Sequence, residues 1–377
     1  MKRIFWLAGE NSGDLHSSKI IAKLNANSYH YDHFGIGGKF MESEGFTPVF
    51  DFSRFAVMGI TEVLANISFF LQVERNIKKI FYENPPDLVI LVDYPGLNMR
   101  VAKLAKMLGI PVLYYICPQF WAWKQKRIHQ LKRYTDQVAS ILPFELDVLE
   151  AHKIPASYVG HPICEEIEIK TDKDEFAKIF SLDPDKKWLG FLPGSRNGEI
   201  RHILPEMLKT ITLFDKDKYE FLLSKAPSVN EVLFQKIIDQ SKLPHLKIIP
   251  SYIYEIMAHA DFLTVTSGTA SLETALIGTP FIIVYKVSWL SYLVAKNILS
   301  IRNIGLPNII LKKNTIPELI QNKATAKNIY THINEFISNP QKIENMKSHL
   351  NHLNKLLGKN SASEEMSKLI IRFLENE

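Results

Sequence analysis

The chain has 377 residues, of which 46% are hydrophobic and 23% are charged, with a formal net charge of +5. This length is too great for one comfortable core and suits two domains. The mild positive charge fits anionic substrates or anionic lipid surfaces, and it lacks the clustered basic residues that nucleic-acid binding requires. The two cysteines, Cys117 and Cys164, have no metal-ligand spacing and favour a reducing, cytoplasmic compartment.

The N-terminus predicts a first β-strand. Its sequence, MKRIFWLAGENSGD, has too few consecutive apolar residues for a signal peptide. No apolar run approaches the roughly eighteen residues that a membrane span needs. We therefore expect any membrane contact to be peripheral.

The first half alternates buried strands with helices. Strands are predicted at RIFWLAG, PDLVILVDYPG, IPVLYYICP and QVASILPF, with helices at DLHSSKIIAKLN and NMRVAKLAKMLG between them. Continuous apolar strands separated by helices are typical of a parallel sheet that is covered on both faces. The polar stretch 160–187 is the best candidate for an interdomain connection.

The same alternation then restarts. Strands are predicted at WLGFLPGS, YEFLLS, LKIIP, DFLTVTSG and PFIIVYK, and the chain after Pro317 is expected to be helical to its end. Two consecutive α/β patterns predict two doubly wound, Rossmann-like domains with a cleft between them. Ligands of such sheets bind at the carboxyl ends of the strands, so the strand-to-helix loops are the candidate sites.

Two glycine-containing loops are candidates for anion binding. AGENSGD follows the first strand, where Gly9 and Gly13 permit tight turns, but it lacks the dinucleotide pattern and is equally well a structural turn. LPGSRNGEI offers donors at Gly194 and Ser195 and the planar guanidinium of Arg196. The alternative for Arg196 is an ion pair with a carboxylate such as Glu199.

A third loop, TSGTASLETALIGTP, places Ser267, Gly268 and Thr269 where a strand ends and a helix begins, which favours phosphate. Glu273 lies one turn further on, where a carboxylate can accept both hydroxyls of a ribose. The alternative is an ordinary Ser/Thr cap with a solvated glutamate. Two phosphate-type loops beside a carboxylate favour a nucleoside diphosphate.

Asp93 is the acidic candidate of the first half. It follows the apolar strand LVILV, and a carboxylate at that position can take a proton from a hydroxyl nucleophile. A helix N-cap is an equally good interpretation of an aspartate there.

Taken together, these motifs resemble the lipid-A-disaccharide synthase family, inverting glycosyltransferases of the GT-B fold. The matching stretches, in chain order, are AGENSGDLH, GIGGKFMESEGF, AVMGITEVL, VDYPGLN, CPQFWAWKQKRI, ILPFE, GHP, LPGSRNGEI, TSGTASLETAL, GLPNIIL and IPELIQ. They run through nearly the whole chain. Rival interpretations are another GT-B transferase, a UDP-sugar epimerase, and a nucleotide-sugar-binding regulator without catalysis.

The resemblance implies two diacylated sugar substrates. The donor is UDP-2,3-diacylglucosamine (UDP-diacylglucosamine) and the acceptor is 2,3-diacylglucosamine 1-phosphate (lipid X). Attack by the acceptor's 6-hydroxyl would release UDP and leave a β-linked disaccharide, at the cytosolic face of the inner membrane of a Gram-negative cell. A C-terminal helix is expected to return to the first domain, which gives domains at 1–165 with 360–377 and at 166–359. A homodimer is compatible with the sequence.

The resemblance also implies roles for particular residues. Asp93 matches the family's general base, and Arg196 with Ser195 and Gly194 matches the site of the departing diphosphate. Ser267, Gly268 and Thr269 would hold the same phosphates, and Glu273 would hold the ribose. Asn308 matches a donor-side position near the cleft. The residues expected to line the acceptor side are Glu10, Ser12, Gly13 and Asp14.

No metal or cofactor is expected. A single displacement needs one base and a stabilised leaving group. The D-x-D sequences of this chain lie in polar loops, and none follows an apolar strand as a manganese site would. They are Asp172-Lys-Asp174, Asp183-Pro-Asp185 and Asp215-Lys-Asp217.

An apolar stretch before a basic flank is the first candidate for a membrane contact. Its apolar residues are Val63, Leu64, Ile67, Phe69, Phe70 and Leu71, and its basic residues are Arg75, Lys78 and Lys79. Such a stretch can lie in a lipid interface, or it can pack on the sheet. A second candidate is 287–299. The basic cluster at Lys124, Lys126, Arg127, Lys132 and Arg133 is a solvated helix face or a contact for phosphate, and Trp121 and Trp123 are assigned to the core.

Overall fold

Two compact units make up the protein. The computed structural model describes residues 1–27, 30–56, 67–118, 120, 127–287, 303–358 and 360–375. The first unit comprises Met1–Glu165 with Leu357–Glu377, and the second comprises Glu166–Leu356. Each unit is built on one parallel sheet with helices, so the predicted α/β class is confirmed.

The sheet of the first unit has the order β3-β2-β1-β4-β5-β6-β7, and its paired strands are parallel. The strands are β1 (Arg3–Ala8), β2 (Asp32–Ile36), β3 (Thr47–Pro48), β4 (Leu88–Val92), β5 (Val112–Tyr115), β6 (Gln137–Ser140) and β7 (Ala156–Tyr158). The helices are α1 (Asn11–Ala26), α2 (Lys39–Ser43), α3 (Ser53–Ala56), α4 (Ile67–Glu83), α5 (Pro95–Met107), α6 (Arg127–Tyr134), α7 (Pro143–Ala151) and, from the C-terminus, α16 (Ala362–Glu375).

Both faces of this sheet are covered, which explains why its central strands β1, β4 and β5 are almost entirely apolar. Phe5 and Leu7 of β1 pack into a core on one face, and Ile4 and Trp6 pack into a core on the other. Helix α16 joins the second of these cores through Met366, Ile370 and Leu374. The C-terminal helix is therefore part of the first unit's core.

The second unit has the strand order β10-β9-β8-β11-β12-β13, again parallel throughout its pairs. Its strands are β8 (Lys187–Leu192), β9 (Tyr219–Lys225), β10 (Leu246–Pro250), β11 (Phe262–Thr266), β12 (Phe281–Tyr285) and β13 (Glu318–Ile320). Its helices are α8 (Lys173–Phe180), α9 (Asn197–Ile211), α10 (Glu231–Ser241), α11 (Ile253–His259), α12 (Thr269–Ile277), α13 (Leu306–Ile310), α14 (Ala326–Ile337) and α15 (Pro340–Leu357).

Strand β13 corrects the expectation that the chain is helical after Pro317. It has three residues and pairs with β12 in parallel. A segment this short carries no readable alternation of apolar and polar residues, so its sequence does not distinguish it from a loop.

The strand order reverses once in each sheet, between β1 and β4 in the first unit and between β8 and β11 in the second. At such a reversal the connections on its two sides run to opposite faces, which leaves a crevice at the carboxyl ends of the strands. The loops after these four strands are therefore where each unit can bind a ligand.

Candidate functional site

Four loops selected from the sequence follow the four strands that flank the reversals. In the first unit they are residues 9–14 after β1 and 93–98 after β4. In the second unit they are residues 193–196 after β8 and 267–268 after β11. Each pair belongs to one unit.

The backbone at Asp93 is strained. Asp93 and Tyr94 have φ angles of +45° and +42°, a region that side chains other than glycine rarely adopt. The carbonyl oxygen of Asp93 accepts hydrogen bonds from Asn98 Nδ2 and from the Tyr114 hydroxyl, both at 2.6 Å. Asn98 and Tyr114 are fully buried. Strain that surrounding side chains hold in place is a feature of active sites.

The carboxyl group of Asp93 has an elevated proton affinity. Burial, and secondly the neighbouring Glu10 carboxylate, raise the pKa of Asp93 to about 6, while His16 and Arg127 act to lower it. Helix α5 begins at Pro95 with Tyr94 as its cap residue and without a side-chain cap bond, so the N-cap interpretation of Asp93 is wrong. A carboxylate whose pKa lies near neutrality is well suited to accept a proton.

The loop after β1 lies against the loop after β4. A Cβ atom on Gly9 would lie 3.0 Å from Cδ1 of Tyr94, so the backbone of the first loop contacts the ring of the second. Glu10 and Ser12 are exposed at the start of helix α1. Gly13 packs closely, because a Cβ there would lie 3.4 Å from Cβ of Ala8.

Asp14 requires a correction. Its side chain was expected to line the acceptor side, but the residue is only 2% exposed. Its carboxylate accepts hydrogen bonds from the backbone amides of Gly38, Phe40 and Met41 at 2.8, 3.2 and 3.1 Å. These amides lie at the start of helix α2, where a carboxylate stabilises the unsatisfied donors. We therefore assign Asp14 to holding helix α2 on helix α1.

In the loop after β8, a glutamate occupies part of the expected anion site. Gly194 has a φ of +102°, and a Cβ there would lie 2.2 Å from Glu199 Oε2. The same oxygen accepts hydrogen bonds from the amides of Ser195 and Arg196 at 3.2 and 3.3 Å. Those two amides are thus already used within the loop, contrary to the expectation that Ser195 offers its backbone donor.

Arg196 remains accessible. Its guanidinium lies 3.4 Å from the Glu199 carboxylate, which is the pairing foreseen as the alternative, yet 83% of the side chain is exposed. Only the Glu199 side of this pair is buried, and the exposed guanidinium lies at a long distance from it, so an incoming anion can compete for Arg196. The loop is also supported from behind by Ser228, whose hydroxyl donates to the Ser195 carbonyl at 2.9 Å. No sequence pattern indicated that support.

The loop after β11 depends on glycine. Gly268 has a φ of +144° and precedes helix α12, a conformation open essentially to glycine alone. Gly268 and Thr269 are exposed. Ser267 is different, because its amide donates to Val284 at 3.2 Å and its hydroxyl donates to the carbonyl of Ile304 at 3.1 Å. The donors left for an anion are thus at Gly268 and Thr269, and Ser267 fixes the turn.

Glu273 is held by a tyrosine. The hydroxyl of Tyr254 donates to Glu273 Oε1 at 3.0 Å. Burial raises the pKa of Glu273, as does the neighbouring Glu166, while the bond from Tyr254 lowers it. The glutamate is half-buried beside the phosphate-type loop, so the solvated-glutamate alternative is not supported.

Asn308 also requires a correction. It was expected to contact the donor, but it is fully buried. Its Nδ2 donates to the Ile316 carbonyl and to Glu318 Oε1, both at 2.8 Å, and its Oδ1 accepts from the amides of Thr315 and Ile316 at 3.0 Å. Every polar atom of its side chain is used inside the unit, where Asn308 connects helix α13 to residues 315–318.

The first candidate for membrane contact is partly core. Phe69 is only 8% exposed, and the guanidinium of Arg54 lies 4.0 Å above its ring. Phe70 is half-buried, and Leu71 is 41% exposed. The interpretation as a stripe packed on the sheet therefore holds for Phe69.

Several residues of the surface predictions, and both tryptophans assigned to the core, lie outside the described residues. They are Val63, Leu64, Trp121, Trp123, Lys124, Lys126 and 288–299, and the side chain of Ile67 is likewise not described. Within the described ranges no helix is long and apolar enough to cross a membrane. No group of three or more His, Cys, Asp or Glu side chains suited to a metal ion occurs in the part of the chain that the structure describes.

A sequence profile described as lipid-A-disaccharide synthetase matches residues 4–372. The chain belongs to the lipid-A-disaccharide synthase family. The chain is 36% identical over 376 residues to the lipid-A-disaccharide synthase of Geobacter metallireducens, covering 99% of this chain and 97% of that protein. It is also 36% identical to lipid-A-disaccharide synthase 1 of Legionella pneumophila, covering 98% and 97%. The resemblance predicted from the motifs is confirmed, and the protein is a glycosyltransferase of lipid A disaccharide synthesis.

Solved structures of similar fold include glycosyltransferases and epimerases. The UDP-GlcNAc 2-epimerase of Neisseria meningitidis, solved with UDP-GlcNAc, matches with a TM-score of 0.63 at 14% identity and covers 100% of both chains. The calicheamicin glycosyltransferase CalG4 matches with a TM-score of 0.65 at 12% identity and covers 100% of this chain and 98% of that one. At these identities the likeness concerns the fold alone, which is the predicted GT-B class. Membership of the synthase family, rather than the fold, separates this chain from the epimerases.

Proposed function

We propose that this family member transfers the sugar of UDP-2,3-diacylglucosamine to 2,3-diacylglucosamine 1-phosphate (lipid X). The 6-hydroxyl oxygen of the acceptor forms a bond to the anomeric carbon of the donor. The bond from that carbon to the diphosphate breaks, and its electron pair leaves with UDP. The product is a β-1,6-linked disaccharide 1-phosphate, formed with inversion. The observation that carries the proposal is the half-buried carboxyl of Asp93, on a strained backbone, in a family of lipid A disaccharide synthases.

Asp93 acts as the general base. Its carboxylate takes the proton of the acceptor hydroxyl as the new bond forms, which needs a pKa close to the operating pH. Burial and the Glu10 carboxylate supply that pKa, at about 6. Glu10 and Ser12, exposed in the adjoining loop, are the residues assigned to the acceptor.

The second unit binds the donor and stabilises the leaving group. Negative charge grows on the diphosphate as its bond to carbon breaks, so fixed donors there lower the barrier. The exposed guanidinium of Arg196 and the start of helix α12 at Gly268 and Thr269 fit this role. Glu273, held by Tyr254, accepts the ribose hydroxyls.

The proposal is tested by mixing the purified protein with UDP-2,3-diacylglucosamine and lipid X and measuring disaccharide and UDP. Both products are expected in equal amounts, and only when both substrates are present. Release of UDP without acceptor would indicate a hydrolase, and no release with both substrates would leave a binding protein.

The scheme uses neither a metal nor a cofactor, because one base and a stabilised leaving group suffice for a single displacement. Activity should therefore persist in excess chelator. Loss of activity in EDTA, restored by one divalent cation, would contradict the metal-free scheme.

Acylated substrates require access to a lipid surface, and we place the protein peripherally on the cytosolic face of the inner membrane. Leu71 is exposed on helix α4, and the basic residues Arg75, Lys78 and Lys79 that follow are exposed as well. Apolar contact beside basic residues suits anionic lipid. Leu71→Ser should reduce recovery with anionic vesicles, whereas Met107→Ser, at a residue 73% exposed on helix α5, serves as the control. Equal recovery of both variants would assign binding to another surface.

A further inference from the structure

A single carboxylate joins two segments of the second unit. Glu318, the first residue of β13, accepts hydrogen bonds at Oε2 from the Ile304 amide at 2.9 Å. At Oε1 it accepts from the Gly305 amide at 3.1 Å and from Asn308 Nδ2 at 2.8 Å. Three donors from residues 304–308 therefore converge on Glu318. A carboxylate suits this arrangement because it only accepts, and it does so at both oxygens.

Asn308 completes the attachment. Besides its bond to Glu318, its amide nitrogen and oxygen bind the backbone of Thr315 and Ile316. The space around this junction is tight, since a Cβ on Gly305 would lie 2.3 Å from Cδ1 of Ile283. The segment that contains Ile304 thus packs against β12 and is hydrogen-bonded to the first residue of β13.

The same segment reaches the phosphate-type loop. The Ile304 amide is held by Glu318, and the Ile304 carbonyl accepts the hydroxyl of Ser267 at 3.1 Å. Ser267 immediately precedes Gly268, whose φ of +144° sets the start of helix α12. A continuous chain of hydrogen bonds therefore runs from Glu318 through Ile304 to the turn at Gly268.

We propose that Glu318 is a positioning residue that sets the turn 267–269 for the diphosphate of the donor. The inference rests on the proposed function, because it takes that turn to be the phosphate site. Glu318 acts through Ile304 and Ser267, and Asn308 fixes the orientation of its carboxylate. Loss of the carboxylate should loosen the turn while leaving the ribose contact of Glu273 in place.

The test compares UDP with uridine, which lacks the phosphates. Glu318→Gln keeps the side-chain shape but replaces one acceptor oxygen with a donor group. We expect its Kd for UDP to rise about tenfold, with its Kd for uridine unchanged. The control is Glu220→Gln, because Glu220 is also half-buried and accepts one backbone amide, that of Asp183 at 3.2 Å, at the amino end of β9. The control should bind both ligands as the wild type does.

Ser267→Ala removes the hydroxyl that donates to the Ile304 carbonyl, so it interrupts the same series of hydrogen bonds at its other end. Its effect on UDP binding should not add to that of Glu318→Gln, because both variants interrupt one connection. If Glu318→Gln weakened the binding of UDP and uridine equally, or if the effects of the two substitutions were additive in the double variant, Glu318 would have no positioning role. Neither outcome would contradict the proposed phosphate site. A wild-type protein that binds uridine and UDP equally would overturn the proposed phosphate site as well.

Discussion

The carboxyl ends of the two sheets differ in what they present. In the first unit the crevice contains the carboxyl groups of Glu10 and Asp93, and the backbone beside them is strained and held by buried side chains. In the second unit it contains a glycine turn, the start of a helix and an exposed guanidinium. The same architecture thus gathers groups that take up a proton at one edge and groups that attract an anion at the other.

The two units therefore differ in function because of the side chains and backbone at these edges, while their fold is the same. A raised carboxyl pKa serves proton removal, and amides with a guanidinium serve a departing diphosphate. Variants of the first edge should therefore lower kcat without changing the binding of UDP. Variants of the second edge should impair the binding or the departure of the diphosphate.

The largest effect is expected for Asp93→Asn. Removing the base should lower kcat by about 10²- to 10⁴-fold, with UDP binding unchanged in calorimetry. Asp87→Asn is the matched control, since Asp87 precedes the same strand β4 at its opposite end and is exposed. An Asp93→Asn variant that retains wild-type kcat would assign the base elsewhere.

Arg196→Ala should have the second largest effect. Loss of the guanidinium at the leaving group should lower kcat by about 10²- to 10³-fold, the range known for a donor that acts in the transition state, with a smaller change in donor KM. Arg201→Ala, at an exposed position on the same helix α9, should leave both values unchanged. A change confined to KM would reduce the loop to an anion-binding site without a catalytic role.

Lowering the pH should reduce kcat/KM by less than these substitutions do. We expect this change to come from the protonation of Asp93 in the first unit. Since the pKa of Asp93 is raised to about 6, the carboxylate becomes protonated and inactive as the pH falls through that value. Below it kcat/KM should fall about tenfold per pH unit, and uridine binding measured across the same range should not show this step, because uridine carries no phosphate that titrates near the same pH. A rate that stays constant down to pH 5 would argue against Asp93 as the base.

Gly268→Ala should destabilise the fold modestly and weaken ligand binding. A Cβ there meets no atom within 4 Å, so only the backbone conformation at φ +144° opposes the change. The expected cost in the free energy of unfolding is about 1–3 kcal/mol, with weaker UDP binding. Gly198→Ala, which also meets no atom within 4 Å and has no positive φ, should stay within about 1 kcal/mol. Equal unfolding free energies of the two variants would contradict the strain at Gly268.

The sequence was sufficient for most of the fold because the buried strands are continuous apolar runs. β1 and β4 are covered on both faces, which is the pattern that predicts a parallel sheet. The short strands β2, β3, β7 and β13 have no continuous apolar run and were missed. The exposed turn at Gly268 could also be predicted from the sequence, because a strand pattern, a glycine and a helix pattern follow one another in the chain.

The corrections share one physical cause. Asp14 and Asn308 are polar residues within family motifs, but their partners are backbone amides of other segments, at 38–41 and at 315–316. Which acceptor faces which amide depends on the packing of those segments, and sequence patterns do not encode it. Phe69 illustrates the same limit, since one helix carries both buried and exposed apolar residues.

The anomeric configuration of the product decides between one displacement and two. In a single displacement, with Asp93 as the base, the acceptor oxygen attacks the donor carbon directly, so the disaccharide made from the α-linked UDP donor should be β-linked in its NMR spectrum. Glu10 lies close enough to raise the pKa of Asp93, which makes a second carboxylate available at this edge. An α-linked product would mean that a carboxylate first attacks the sugar, and it would contradict the account.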